Sequence, residues 1–232
     1  MWIVIPVKRF AFAKNRLSSV LTSSERESFA QVMLNDVVRA VADASLVSGI
    51  LLISNETRAK YVVERAGGLF LKTEESGVSS AFKQASDWLL RHGQRTAFMM
   101  PSDIPTIESS EVDSLIATRP GGKSVTIIPD RHYAGTNGLI VSPPDVINYR
   151  FGSNSFTLHA TAVENAGIKP TIKISQGVAL DIDSQPDLYR LLTVEQSIET
   201  LDYLWDSGIA KRLLSNRNEK FRSERMAASY LM

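Results

Sequence analysis

The chain opens on a run of apolar residues, Trp2-Ile3-Val4-Ile5, closed by Pro6. A short apolar run stopped by a proline reads as a strand passing into a loop. Ser24-Glu25-Arg26-Glu27 has the spacing of a capping box, a hydroxyl with a carboxylate three residues later. After it Phe29, Val32, Met33, Val37, Ala40, Val41 and Ala44 recur at helical spacing, so a long helix is predicted before Gly49. Ile50 to Ser54 reads as a second strand. Thr57 to Ala66 reads as a short helix closed by the Gly67-Gly68 turn, and Leu69-Phe70-Leu71 as a minimal third strand. Ser76-Gly77-Val78-Ser79 leads into a helix from Ser80 to Arg91, ended by Gly93.

Thr96 to Met100 predicts another strand, running into Pro-Ser-Asp-Ile-Pro, with a helix over Glu111 to Ala117 behind it. Lys123 to Ile128 and Asn137 to Val141 read as strands and Phe156 to Ala166 as a helix. Thr171 to Ile174 and Val178 to Ile182 read as two further strands, and the pattern is helical from Pro186 to Leu214. Strands alternating with helices predict an α/β fold with a mostly parallel sheet covered on both faces. Two connections without a helix in the last third point to an antiparallel edge there.

Composition narrows the function classes. At 232 residues the chain suits one α/β domain with an appendage, here divided as 1–192 and a helical extension over 193–232. The net charge of +1 gives no global field favouring nucleic acid or an anionic membrane. Without cysteine there is no thiolate nucleophile, disulfide or cysteine zinc site. No apolar run reaches the ~18 residues that span a bilayer, and no signal-peptide pattern is present; a cytoplasmic location is expected. From Lys211 to Arg225 six basic residues stand against Glu219 and Glu224, which reads as a solvated or partner-facing end rather than a nucleic-acid arm.

Candidate chemistry begins in the first loop. Lys8, Arg9, Lys14 and Arg16 lie there with no Asp or Glu before Glu25. Open α/β sheets bind ligands beyond the carboxyl ends of their strands, and Lys and Arg bind phosphate; a solvated basic loop is the bland alternative. Asp103 follows the Thr96–Met100 strand, held between Pro101 and Pro105, and Asp181 and Asp183 lie two apart on one face of the predicted Val178–Ile182 strand. Carboxylates at strand ends without His or Cys suit a hard cation such as magnesium. Each alone is equally well a turn or a helix cap; their coincidence with the basic loop favours function. Gly135-Thr136-Asn137-Gly138 and Arg150-Phe151-Gly152-Ser153-Asn154-Ser155 offer hydroxyls, a flexible backbone and a helix N-terminus suited to an anion, although a turn plus a cap explains them too. Gly121-Gly122-Lys123-Ser124 fails as a P-loop because Ala117 stands where the first glycine belongs, and no GxGxxG occurs. His92 and His132 read as a helix-end and a loop residue; His159, on the helix after Ser155, reads as pocket-facing or as a satisfied structural histidine.

Taken in order, IPVKRFAFAKNRL, ERESFAQVMLNDV, PSDIP, GTNGLIV, RFGSNSF and ALDIDSQPDL give a chain that resembles the CofC/FbiD nucleotidylyltransferases of coenzyme F-420 biosynthesis, over Met1 to Leu192. The resemblance implies a GT-A-like (nucleotide-diphospho-sugar transferase) fold similar to the molybdenum-cofactor guanylyltransferases. It implies transfer of GMP from GTP to a small phosphorylated three-carbon acid, which is 2-phospho-L-lactate, phosphoenolpyruvate or 3-phospho-D-glycerate, with release of pyrophosphate. The first and last of these are preferred here. On the same resemblance Lys14 and Asp103 are catalytic, and Lys8, Lys14 and Arg16 hold the GTP phosphates. Asp103, Asp181 and Asp183 hold magnesium, and Thr136, Gly152 and Ser155, with Arg150 as an added cation, hold the acid. Ser102 departs from the alanine often found there. The product is expected to pass to the next enzyme of the pathway, and a homodimer is left open. The rival readings are another sugar-phosphate or cofactor nucleotidyltransferase of the same fold, against which Phe10-Ala11-Phe12-Ala13 replaces a Gly-rich loop, and a catalytically silent nucleotide-binding subunit.

Overall fold

The computed structural model describes residues 1–73 and 77–216; Ser76 and the part of the basic tail from position 217 onward lie outside them. Seven strands form one sheet in the order β3-β2-β1-β4-β6-β5-β7. They are β1 (Trp2–Val7), β2 (Gly49–Ser54), β3 (Leu69–Lys72), β4 (Ala97–Met99), β5 (Ser124–Pro129), β6 (Thr136–Ser142) and β7 (Thr171–Ile172). The helices are α1 (Ser23–Ala42), α2 (Thr57–Arg65), α3 (Val78–Arg91), α4 (Ser109–Ala117), α5 (Ser155–Asn165), α6 (Gln176–Ala179), α7 (Gln185–Leu191) and α8 (Glu199–Asp206), with a further helical stretch at 209–216. The mostly parallel mixed sheet is covered on both faces. Ile3, Ile5, Leu52 and Phe98 pack under α1, α2 and α4, while Val4, Leu51, Ile53 and Met99 pack under α3 and α5. The alternation along β1 is the period-two geometry of a strand buried on both sides.

Several predicted boundaries shift, each for a physical reason. β1 continues through Pro6 to Val7. The Val4 carbonyl accepts from Met100 N–H on the β4 side, and two residues on Pro6 faces the same side, where β4 has already ended. A proline there costs no ladder bond. The box that starts α1 lies two residues earlier than predicted: Thr22 Oγ1 accepts from Glu25 N–H at 3.2 Å and the Glu25 carboxylate accepts from Thr22 N–H at 2.7 Å. The antiparallel strand is not at the edge. β6 runs against both β4 and β5 inside the sheet, and the edge strand β7 is parallel to β5.

Val178–Ile182 is not a strand. Ser175 is extended and its Oγ accepts from Val178 N–H at 3.2 Å, starting the α6 turn. Glu111 Oε1 holds that start by accepting from Ser175 Oγ at 2.7 Å and from Gly177 N–H at 3.1 Å. A local cap and a carboxylate from α4 therefore override the apolar alternation. The predicted helix from Pro186 to Leu214 is likewise interrupted between α7 and α8 and again at Ser207-Gly208.

The residues after Thr193 pack on the main core, with Leu201, Leu204, Ile209, Ala210 and Leu213 buried against α1 and its neighbours. One buried carboxylate fastens them. Asp36 on α1 accepts from Glu199 N–H at 2.9 Å, Thr200 N–H at 2.8 Å and Thr200 Oγ1 at 2.6 Å, and pairs with Arg39 at 2.5 Å. It caps α8 from a different element. Replacing Asp36 with Ala strands those donors, so the D36A variant is expected to lose about 2–4 kcal/mol of stability, read as a lower urea midpoint. A loss below about 0.5 kcal/mol, the scale of an ordinary surface change, would show that α8 docks without it.

Candidate functional site

The sheet directs the carboxyl ends of β1, β2, β4 and β5 and, because β6 is reversed, the amino end of β6 to one edge. The first loop leaves β1 there and is pinned at two buried anchors, Phe10 and Leu17, each in a short 3-10 turn. Glu56 accepts from Phe10 N–H at 3.0 Å, and the Arg58 guanidinium lies 4.9 Å from the centre of the Phe10 ring. Between the anchors Lys14 adopts a left-handed backbone conformation, φ 53° and ψ 36°. That conformation costs a non-glycine residue roughly 1–2 kcal/mol, and it turns the side chain inward.

The Lys14 ammonium donates to Asp103 Oδ2 at 2.5 Å and to Asp183 Oδ1 at 2.8 Å, with 6% of its side chain exposed. Arg16 stands 3.6 Å from the other oxygen of Asp183 with 80% of its side chain in solvent. Burial works against a charged Lys14, but the two carboxylates outweigh it and raise its pKa. Burial likewise disfavours ionised Asp183, yet Lys14, assisted by Arg16, holds its pKa below the usual carboxylate range. The three side chains thus form a cluster joining the loops after β1 and β4 to the segment before α7.

Asp181 and Asp183 do not share partners. Asp181 turns to Asn137, whose Nδ2 donates to it at 3.0 Å and to the Val178 carbonyl at 2.9 Å. Among the described residues no cation lies within ion-pair distance of Asp181. Burial, followed by the negative charge of Asp103, raises its pKa despite the Asn137 bond. Asp103 and Asp183 thus share the Lys14 ammonium, with Arg16 beside Asp183, while the negative charge of Asp103 bears on Asp181, which has no cation of its own among the described residues, an imbalance that an added cation would relieve. The all-oxygen donor set fits magnesium rather than a softer ion. Among the described residues no three acidic or histidine side chains form a ready cage, so such an ion must take further ligands from phosphates and water, as magnesium usually does.

Thr136, Gly152 and Ser155 come together one step further along the same edge. Thr136 N–H donates to Ser155 Oγ at 2.9 Å, and Ser155 N–H reaches the Gly152 carbonyl at 3.2 Å. Gly152 has φ +123°, a conformation that requires glycine. Arg150 joins through its backbone, whose N–H donates to His159 Nε2 at 2.9 Å; its side chain is exposed. Lys8 lies apart from Lys14, lining with Arg9, Phe12, Ile53, Asn55 and Val78 a cleft of about 490 Å³ between the first loop and α3.

The sequence reading leaves His159 between pocket-facing and structural, and does not single out Asn137, Asp187 or Arg131 as site residues. Asp187 is buried and accepts from Asp183 N–H at 3.2 Å, Ser184 N–H at 2.8 Å and Ser184 Oγ at 2.7 Å, so it sets the turn that presents Asp183. Arg131, from the β5–β6 loop, pairs with Asp187 at 2.5 Å. The Ser184-to-Asp187 spacing is a readable cap signal, and Asn137 sits inside the GTNG segment. Nothing local marks Arg131. His92 stacks on Trp88 with ring centres 3.9 Å apart at the end of α3, and His132 lies in an exposed loop, as expected of both.

The match to known proteins covers more of the chain than the motifs do. The family model described as "Guanylyl transferase CofC like" matches residues 1–225, including the helices beyond Thr193. A phosphoenolpyruvate guanylyltransferase of Sphaerobacter thermophilus is 32% identical over 188 residues, 81% of this chain and 90% of that one. A 2-phospho-L-lactate guanylyltransferase of Methanothermobacter thermautotrophicus is 33% identical over 205 residues, 87% of this chain and 88% of that one. Among solved structures, a Desulfovibrio desulfuricans G20 protein provisionally assigned as a nucleotide-diphospho-sugar transferase superposes with a TM-score of 0.71 at 15% identity, covering 91% of this chain and 97% of that one. That likeness concerns the fold alone and agrees with the single α/β sheet described above. The chain belongs to the CofC guanylyl transferase family, a family of nucleotidyltransferases.

Proposed function

We propose that this enzyme transfers GMP from GTP to the phosphate of a phosphorylated three-carbon acid and releases pyrophosphate, a step of coenzyme F-420 biosynthesis. The observation that carries the reading is the Lys14 ammonium held between Asp103 and Asp183, which joins positions 14, 103 and 183 at the sheet edge where such folds take ligands. The relatives named for phosphoenolpyruvate and for 2-phospho-L-lactate are similar to this chain to nearly the same degree, 32% and 33%. Phosphoenolpyruvate and 2-phospho-L-lactate are therefore both acceptor candidates, and 3-phospho-D-glycerate, implied by the family resemblance, is a third.

An acceptor phosphate oxygen attacks the α-phosphorus of GTP in line. The bond from that phosphorus to the bridging oxygen breaks, and its electrons leave with pyrophosphate. No protein nucleophile or general base is needed, because a phosphate is already ionised near neutrality. The remaining task is to hold two anions together and to neutralise charge as the leaving group departs. In this reading Lys14 and Arg16 contact the triphosphate, Lys8 joins them from the wall of the 490 Å³ cleft that takes the base, and Thr136, Ser155, Arg150 and the Gly152 backbone hold the acid. Magnesium held by Asp103, Asp181 and Asp183 would supply the Lewis-acid share of that neutralisation. A cytoplasmic location fits a biosynthetic enzyme in which no helix of the described residues is long and apolar enough to cross a membrane.

Pyrophosphate release is expected with GTP plus at least one of the three acids, and competition among them identifies the acceptor. Release with a sugar phosphate alone would overturn the reading. The Asp103→Asn and Asp183→Asn variants are expected to lose at least about a hundredfold in turnover when assayed well below their unfolding midpoints, which should fall because each leaves the buried Lys14 ammonium one carboxylate short; near-normal turnover in either removes that residue from the machinery. Because Lys14 already occupies two of the carboxylates, Lys14→Gln is expected to bind manganese, used as a paramagnetic probe without GTP, on the order of tenfold more tightly, the scale on which one nearby charge shifts a carboxylate equilibrium. The same variant should lose turnover. Weaker manganese binding in Lys14→Gln would contradict the assignment of Asp103 and Asp183 as metal ligands.

A further inference from the structure

His159 is fully buried on α5 and lies between two parts of the acid site. Its Nε2 accepts the Arg150 backbone N–H at 2.9 Å, and its Nδ1 lies 2.9 Å from Thr136 Oγ1. A backbone N–H can only donate, so Nε2 carries no hydrogen. The ring hydrogen of the neutral imidazole is then on Nδ1 and is donated to Thr136 Oγ1. Burial favours that neutral form and pushes the His159 pKa down to about 4. With one lone pair of Thr136 Oγ1 engaged by the imidazole, the hydroxyl's own hydrogen is free to point elsewhere. Ser155 Oγ is placed similarly, because it accepts the Thr136 N–H at 2.9 Å and keeps its hydrogen.

Phe151 packs edge-to-face with the ring, centres 4.8 Å apart at 66°, and Ser79 Oγ accepts from Phe151 N–H at 2.9 Å. The imidazole therefore fixes two things. It biases the Thr136 hydroxyl towards donating its hydrogen away from the ring, and it sets the start of the Arg150–Gly152 turn.

We propose that His159 is a positioning residue for the acid acceptor: it orients the Thr136 hydroxyl as a donor and ties the Arg150–Gly152 turn to it, so that the site offers fixed donors to an anion. This rests on the reading of Thr136 and Ser155 as the acid site. With one of its two lone pairs taken by the imidazole, the Thr136 hydroxyl is biased towards presenting its hydrogen to the ligand rather than accepting from it. Selectivity for an anion then comes from oriented dipoles rather than from a buried cation.

The test is steady-state kinetics in both substrates, with the unfolding midpoint recorded for every variant. His159→Leu is expected to raise KM for the acid about tenfold to a hundredfold, the loss typical of one hydrogen bond to a charged group, while KM for GTP stays within about twofold. Thr136→Val is expected to do the same. The double variant should be little worse than either single one, because both remove a single coupled unit. His159→Asn, whose amide can still donate to Thr136, should lie closer to the wild type than His159→Gln, whose oxygen mainly replaces the acceptor for Arg150 N–H. The Asn and Gln pair decides the matter if His159→Leu does not fold. An unchanged acid KM in folded His159→Leu, equal rises for acid and GTP, or Gln matching or surpassing Asn would overturn the proposal. An unchanged acid KM in Thr136→Val would instead sink the acid-site reading beneath it.

Discussion

One buried ammonium organises the functional edge of this protein. Lys14 is drawn out of water and repaid by two carboxylates, at 2.5 Å and 2.8 Å, that reach it from loops 89 and 169 residues away. A buried lysine without partners would give up its proton; with both partners it stays charged, and its charge keeps Asp183 ionised. The cluster is therefore a structural clasp and, on the reading proposed here, a store of charge that a nucleotide and a cation can redistribute. The left-handed backbone at Lys14 belongs to the same arrangement. Phe10 and Leu17 bury on either side of it, and that burial offsets the strain.

The reversed strand β6 is the second constraint. Were β6 parallel to β4, Thr136 and Asn137 would begin at the far edge of the sheet, away from Asp103. Running antiparallel, it brings adjacent residues to bear on two neighbouring sites. Asn137 steadies Asp181 while Thr136 bonds Ser155 and His159. The loop before it contributes Arg131, which holds Asp187, which in turn holds the backbone of Asp183. Carboxylate cluster and hydroxyl pair thus share one rigid support, and their spacing is set by main-chain geometry rather than by mobile side chains.

How much of this was legible depended on range. The strands and helices up to β4 follow local periodicity, and there the sequence reading is displaced by only a few residues, at Pro6 and at the Thr22 cap. Asp103 could be placed because prolines bracket it, and Lys14 because its loop holds no acid. What failed was decided by partners distant in the chain. Glu111 captures Ser175 and Gly177 and turns an apparent strand into a helical turn, so the claim that Asp181 and Asp183 share a strand face fell with it. The antiparallel pairing of β6 is likewise invisible to periodicity, which reports that a strand exists but not its direction. His159 was seen yet left undecided, because its meaning lies in two bonds to residues 9 and 23 positions away.

On the function proposed above, the two halves of the site would bind anions by different physics. Around Asp103 and Asp183 the means are formal charges, partly open to solvent, which adapt to whatever charge arrives and are screened by salt. Around Thr136 the means are neutral donors held by a buried imidazole and by the start of α5, with Arg150 exposed to solvent. Fixed dipoles cost little reorganisation when the ligand binds and keep their strength where water is excluded. The charged half can then take the polyanion whose charge changes during the reaction, and the neutral half the smaller anion whose place must not change. On the reading proposed above, such a division explains why a site for two phosphorylated ligands needs only the one buried ammonium, that of Lys14, seen there among the described residues.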